Sequence, residues 1–375
     1  MKTYCLVSSL HEEIAQKDEY RSDWENFNTD ECEIFVRTGG TESEFRSLFE
    51  QPDGSLKIEG KAPLRLLTDG QSNSLAASME ILSYLRQKGF DGRIVHGSTS
   101  DTAAKTSDIV RTFDRKGILE GKRYGIVGKP SDWLISSRVD YAKAREVMGC
   151  ELIDIPMSEL LANMKSTSGA LREGLCEIKP KFGRPITRES FGTALSVYDA
   201  LKIIIEQHAL DGVTIRCFDL LSAIGNTACL ALGKLNAEGY VATCEGDIPA
   251  MLTMAVAREL YGKSGFQVNL SKVEDDMLLF AHCTIPLDMV EDFSYDTHFE
   301  SGLGVAIHGV LPEGRSAKIL KIGSDLEHWI HEDITLVRNQ YADKLCRTQI
   351  WVRQGSALGS YMLRRPLGNH HVLIW

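Results

Sequence analysis

The chain has 375 residues, 43% of them apolar and 25% charged, the balance of an ordinary globular protein and not of a disordered, fibrous or membrane chain. That length exceeds a single hydrophobic core, so two or three domains of about 100 to 200 residues are expected. With 42 basic against 52 acidic residues the net charge is -10, which repels phosphate backbones and anionic lipid and argues against nucleic-acid or membrane partners.

The first apolar run, residues 4–7, is followed by Ser8, Ser9 and the charged Glu12-Glu13. It is too short for a secretory signal and reads as a first strand. No run approaches the roughly 18 apolar residues of a membrane span, and a cytoplasmic location is expected. Further strands are predicted at 33–36, 64–67, 93–95, 124–127 and 152–155, with amphipathic helices at 74–88, 102–116 and 138–148. Strand and helix in alternation imply parallel sheet covered by helices. Ligands bind such sheets beyond the carboxyl ends of the strands, which here are Thr68-Asp69-Gly70, His96-Gly97-Ser98 and Gly128-Lys129-Pro130-Ser131-Asp132.

A Gly-, Pro- and charge-containing stretch at 169–185 reads as a junction. A helix at 188–208 leads into a second α/β pattern: strand 213–218, helix 226–236, strand 241–244 and helix 248–261. Strands at 267–270 and 277–282 follow, joined by Glu274-Asp275-Asp276. From about residue 290 the runs 302–310, 317–322, 334–338, 348–352 and 371–374 are short, β-prone and separated by turn residues, which implies a small antiparallel sheet or barrel. The expected architecture is α/β, with two Rossmann-like α/β domains (1–170 and 171–290) followed by a small antiparallel β-barrel-like C-terminal domain (291–375).

Nine cysteines occur without a C-x-x-C pair, several inside apolar runs (Cys5, Cys217, Cys244, Cys283). Buried reduced thiols are expected before a disulfide framework or a zinc site. Nucleotide-binding glycine motifs, the G-x-S-x-G elbow and H-E-x-x-H do not occur.

The segment Cys244-Glu245-Gly246-Asp247-Ile248-Pro249 carries the strongest chemical signal. An apolar strand ends at Cys244 and a helix begins after Asp247, with proline near its start. Carboxylates two residues apart at a strand end can converge on one hard cation. Asp247 has two open readings, helix cap and ligand, whereas Glu245, with no capping role, is better explained as ligand or acid/base group. His282 ends another apolar strand. His370 and His371 are adjacent, so in a strand they point to opposite faces and at most one of them faces any single site. Mixed carboxylate and imidazole ligation suits a divalent ion such as manganese. Asp296-Thr297-His298-Phe299-Glu300-Ser301-Gly302 reads either as a polar loop or as a source of substrate hydrogen bonds.

These segments, with Leu367-Gly368-Asn369-His370-His371-Val372, resemble the L-fucose isomerase and L-arabinose isomerase superfamily, especially its shorter fucose-isomerase-like members. The resemblance covers the chain from Arg216 onward. It implies Mn²⁺-assisted aldose–ketose interconversion of a monosaccharide in a homo-oligomer, a trimer or hexamer. Carried over, Glu245 and Asp247 match the acidic metal-site segment and its acid/base pair, while His282 and His370 or His371 match ligands. His298, Glu300 and Asn369 are the expected substrate contacts. One departure stands out: the helix that holds a further glutamate in fucose isomerases reads Asn226-Thr227-Ala228-Cys229-Leu230-Ala231 here. The expected chemistry is proton transfer through an enediol, with a metal-assisted hydride shift using the same ligands. A sugar-binding protein without turnover and a metal-dependent epimerase or lyase are the competing readings.

Overall fold

A computed structural model of the chain describes residues 1–11, 24–97, 109–167 and 186–375. The expected junction at 169–185, the start of the expected helix 102–116, Ser98 and Glu12-Glu13 lie outside them.

Strands β1 (Lys2–Leu6), β2 (Cys32–Val36), β3 (Leu64–Thr68) and β4 (Gly92–His96) form a parallel sheet in chain order. In β2 and β3 every second residue is fully buried, the period-two signature of a sheet with one deeply packed face. Helix Ser74–Gln87 covers β3 and β4 and also touches the barrel strand Phe266–Glu274. That double contact explains why its buried face spans Ser74 through Leu85 without a polar stripe.

The short β5 (Arg111–Thr112) crosses to the antiparallel sheet, pairing with His328 and Trp329. Helix was expected over 102–116, so its described part is a correction. Burial of Ile109 and Phe113, with the Phe113 ring 5.2 Å from that of Trp329, outweighs the local helical pattern.

A second parallel sheet comprises β6 (Arg123–Val127), β7 (Glu151–Ile155), β8 (Gly212–Ile215) and β9 (Val241–Cys244) in the order β7-β6-β8-β9. Thus β6, with β7 on its other side, pairs across residue 170 with β8 of the second α/β pattern. The strand order reverses direction between β6 and β8, where a crevice opens at the carboxyl ends. Every residue of β8 and β9 is buried, matching their continuous apolar runs.

The remaining strands are β10 (Phe266–Glu274), β11 (Met277–His282), the hairpin pair β12 (Asp292–Asp296) and β13 (Ala306–Val310), then β14 (Ser316–Ile322), β15 (His328–Gln340), β16 (Thr348–Arg353) and β17 (His371–Ile374). The order β14-β17-β10-β11-β16-β15, closed by pairing of β14 with β15, makes a six-stranded antiparallel barrel that leaves no free edge among these six. The barrel therefore begins at β10, earlier in the chain than the change of pattern near residue 290. Helix Ser356–Arg364, which the sequence reading lacked, precedes β17. Among the described residues no helix is long and apolar enough to cross a membrane.

Candidate metal centre

Strand β9 delivers Glu245 to the crevice. Its backbone is left-handed (φ 66°), as is that of Gly246 (φ 68°). A side chain at Gly246 would meet the Lys129 carbonyl oxygen at 2.5 Å, so the turn needs glycine there. Glu245 has no such freedom and is held by tertiary contacts, a form of strain that gathers at functional sites. Its carbonyl accepts from Ser131 N at 3.0 Å, and its Oε2 accepts from Trp133 Nε1 at 2.7 Å. Oε1 is left facing His370, whose Nε2 lies 3.4 Å away.

His370 comes from the turn before β17 and His282 from the end of β11. One ligand atom each of Glu245, His282 and His370 can be chosen so that all lie within 4.8 Å of one another, and all three residues are buried. The Nδ1 atoms are already engaged: that of His370 with Asp247 Oδ2 at 2.8 Å, that of His282 with Thr284 Oγ1 at 3.0 Å. Each imidazole is thereby oriented with Nε2 left over. His370 Nε2 is buried with no hydrogen-bond partner among the described residues. An orphaned imidazole nitrogen beside a carboxylate and a second imidazole fits a divalent cation.

The electrostatics agree. Burial opposes charge on His370, but the Glu245 and Asp247 carboxylates on either side push its pKa up to about 10. Burial, reinforced by the His370 charge, brings His282 down to about 4. Burial likewise opposes ionisation of Glu245, yet His370, Trp133 and His282 hold its carboxyl below the usual range. A proton on His370 takes the place a cation would hold, and binding of a cation there would release it.

Asp247, expected as a ligand, stands behind His370. Its Oδ1 caps helix Ile248–Tyr261 by accepting from Ala250 N at 2.8 Å, and its Oδ2 takes the imidazole. Of the two readings the cap is seen directly, while the second oxygen goes to His370 and Asp247 lies outside the Glu245, His282 and His370 group expected to include it. Burial raises its pKa, but the charge of fully buried Lys321, followed by His370, keeps it ionised. His371 points the other way, into the barrel: its Nδ1 meets the Asn369 carbonyl and its Nε2 the Tyr361 hydroxyl.

The cluster borders two adjoining clefts, of about 430 and 390 Å³, that share Asn73, Phe218, Glu245 and Glu300. Glu300 accepts a hydrogen bond from Asn73 Nδ2 at 3.2 Å. Burial, then the nearby Glu245 and Cys283 charges, raise its carboxyl to about 8. His298 packs edge-on to Phe218, and its Nδ1 meets Ser301 Oγ at 3.2 Å. Asn369 lines the larger cleft. Sequence reasoning missed Glu42, Asn73, Trp133 and Asn269, which line the same cleft. Trp133 and Asn73 follow strand ends already suspected of holding ligands, and Glu42 follows Gly39-Gly40 after β2. Glu42 Oε2 and the Oδ1 atoms of Asn73, Asn269 and Asn369 are buried without partners among the described residues.

No protein-family model matches the chain. Over 88 residues it is 31% identical to proteins named sulfoquinovose isomerase from Priestia aryabhattai and Priestia megaterium. That stretch is 22% of this chain, and the chain spans 20% of the length of these curated relatives. Part of the chain is thus related to a sugar isomerase.

Proposed function

We propose that the chain is a divalent-metal-dependent aldose–ketose isomerase acting on a monosaccharide, with manganese as the metal. The observation that carries this reading is the buried Glu245, His282 and His370 cluster opening onto a cleft that also holds Glu300. The partial likeness to sulfoquinovose isomerases supports the reaction class.

A cation held by Glu245, His282 and His370 would act as a Lewis acid on the carbonyl and neighbouring hydroxyl oxygens of the sugar. The chain's own groups do the rest. Trp133 fixes one oxygen of Glu245 and Asp247 fixes His370, so the anionic and imidazole donors are set before substrate arrives. Glu300 is the proton carrier: a carboxyl near pKa 8 gives and takes a proton at neutral pH with little penalty in either direction. As carboxylate it removes the proton from the carbon bearing the hydroxyl, then returns it to the adjacent former carbonyl carbon. A matching proton passes between the two oxygens, so the aldose and ketose are isomers with no net proton lost. The unpaired oxygens of Glu42, Asn73, Asn269 and Asn369 accept from sugar hydroxyl groups.

The test is an NMR screen of chelated and manganese-loaded protein against aldopentoses, aldohexoses, 6-deoxy sugars and 6-sulfo sugars. Metal-dependent appearance of a ketose is expected with at least one class. Turnover unaffected by chelation, or an epimer or cleavage product in place of a ketose, would sink the assignment.

A further inference from the structure

Five cysteines, Cys217, Cys229, Cys244, Cys283 and Cys346, line the smaller cleft, and the proton chemistry above uses none of them. Cys283 contacts both Cys229 and Cys346, and the remaining two contact each other. The Sγ atoms of Cys217 and Cys244 approach to 2.7 Å, with both thiols free. That is closer than ordinary sulfur contact and short of the roughly 2.05 Å of a disulfide.

The topology explains the approach. Ile215 at the end of β8 is the register partner of Cys244 at the end of β9, and Cys217 lies two residues beyond. Neighbouring parallel strands run about 4.8 Å apart, so two side chains turned toward each other at their ends must touch. Both residues retain slight exposure, 6% for Cys217 and 4% for Cys244, and both border the cleft, which admits a small oxidant where a bulky one is kept out.

We propose that Cys217 and Cys244 form a site of reversible oxidative modification that governs the adjacent metal cluster, with hydrogen peroxide as the oxidant. One thiol sulfur attacks peroxide: an S–O bond forms, the O–O bond breaks and the first water leaves. The second thiol then displaces the sulfenic oxygen, so an S–S bond forms, the S–O bond breaks and a second water leaves. The two sulfurs give up two electrons and two protons, and peroxide is reduced to two waters. A dithiol reverses the change by exchange, becoming a cyclic disulfide itself. The consequence for the metal follows from the chain: Cys244 is bonded to Glu245, whose left-handed turn is held by Ser131 and Trp133. Drawing the sulfurs from 2.7 Å to about 2.05 Å, with the dihedral angle near 90° that a disulfide demands, pulls on that turn. Displacements of the order of 1 Å suffice to spoil a site of this kind. The effect on turnover rests on the isomerase reading; the disulfide and its effect on metal affinity do not.

The full chain is treated with hydrogen peroxide and then assayed for its linked peptides under non-reducing conditions and for Mn²⁺ affinity by the electron paramagnetic resonance of the free ion. A Cys217–Cys244 linkage is expected, with Mn²⁺ bound at least tenfold more weakly and restored by dithiothreitol. Cys217→Ser, backed by Cys217→Ala should the serine variant fold poorly, is expected to keep its Mn²⁺ affinity after peroxide. The proposal is overturned by oxidation confined to Cys229, Cys283 or Cys346, by a 217–244 disulfide with unchanged Mn²⁺ affinity, or by equal peroxide sensitivity in the Cys217 variants. Failure of the reduced, manganese-loaded protein to convert any aldose would instead defeat the isomerase reading and leave these outcomes decisive.

Discussion

The two walls of the cleft are built in opposite ways. On the wall made by β9, β11 and β17, the groups that orient the cluster are paired, Glu245 with Trp133, His370 with Asp247 and His282 with Thr284, which leaves His370 Nε2 over. On the facing wall, from the loops after β2 and β3, the buried Glu42 Oε2 and Asn73 Oδ1 lack partners among the described residues. A saturated wall is prearranged for something of fixed geometry, as an ion is. An unsaturated wall bears a standing desolvation cost that a hydroxyl-rich ligand relieves. On the proposed function, the contrast separates residues expected to set metal affinity from residues expected to set substrate affinity.

Replacing a cluster residue tests that division most severely. Glu245→Gln is expected to weaken manganese binding by 10-fold or more and to lower turnover by about 10³-fold or more. Full turnover in this variant would dissolve the distinction between the walls. Next comes Glu300→Gln, for which kcat should fall about 10²- to 10³-fold while manganese affinity, read by titration, stays within about twofold. An equal loss of metal would move Glu300 to the other wall. Asp247→Asn keeps the helix-cap oxygen but weakens the hold on His370; a loss of about 10-fold or more in metal affinity is expected, with thermal unfolding changed far less. The smallest effect is that of Asn73→Ala on the unsaturated wall: KM should rise about 5- to 10-fold with metal affinity unaltered.

The same contrast has a pH signature in the metal-free protein. Glu300 has a raised pKa when folded, so the folded state holds its proton more tightly and stability falls as pH rises from its ordinary value near 4.5 to about 8. His370 is also raised, so its contribution is complete below its ordinary 6.5 and disappears as pH climbs through about 10. Denaturant melts from pH 5 to 10 should show a decline that Glu300→Gln removes from the lower part of the range. A decline unchanged by that substitution would contradict the burial argument.

Much of this arrangement was legible in the residues themselves. Strand Val241–Cys244 and helix Ile248–Tyr261 have the bounds read from sequence, because an apolar run, a capping aspartate and a proline agree on where the helix starts. Of the adjacent pair, His370 leaves the turn before β17 toward Asp247 and His371 begins the strand with its ring on Tyr361. What the sequence could not show was which loops meet. Glu42, Asn73 and Trp133 belong to sheets distinct from the barrel, and only tertiary packing brings their carboxyl-end loops to one cleft. The strand at Arg111–Thr112 escaped notice for the same reason, since it exists through pairing with β15.

The place of β17 in the barrel has a kinetic consequence. It sits between β10 and β14, so the barrel wall stays open until this strand inserts, and His370 arrives with it. The contact from His370 to Asp247 closes a separation of 123 residues in the chain, the kind of distant pairing that makes folding slow. Closing the barrel and completing the imidazole donors are therefore one event. In a refolding experiment, recovery of manganese binding should lag behind recovery of helix and keep pace with the final tightening of the barrel.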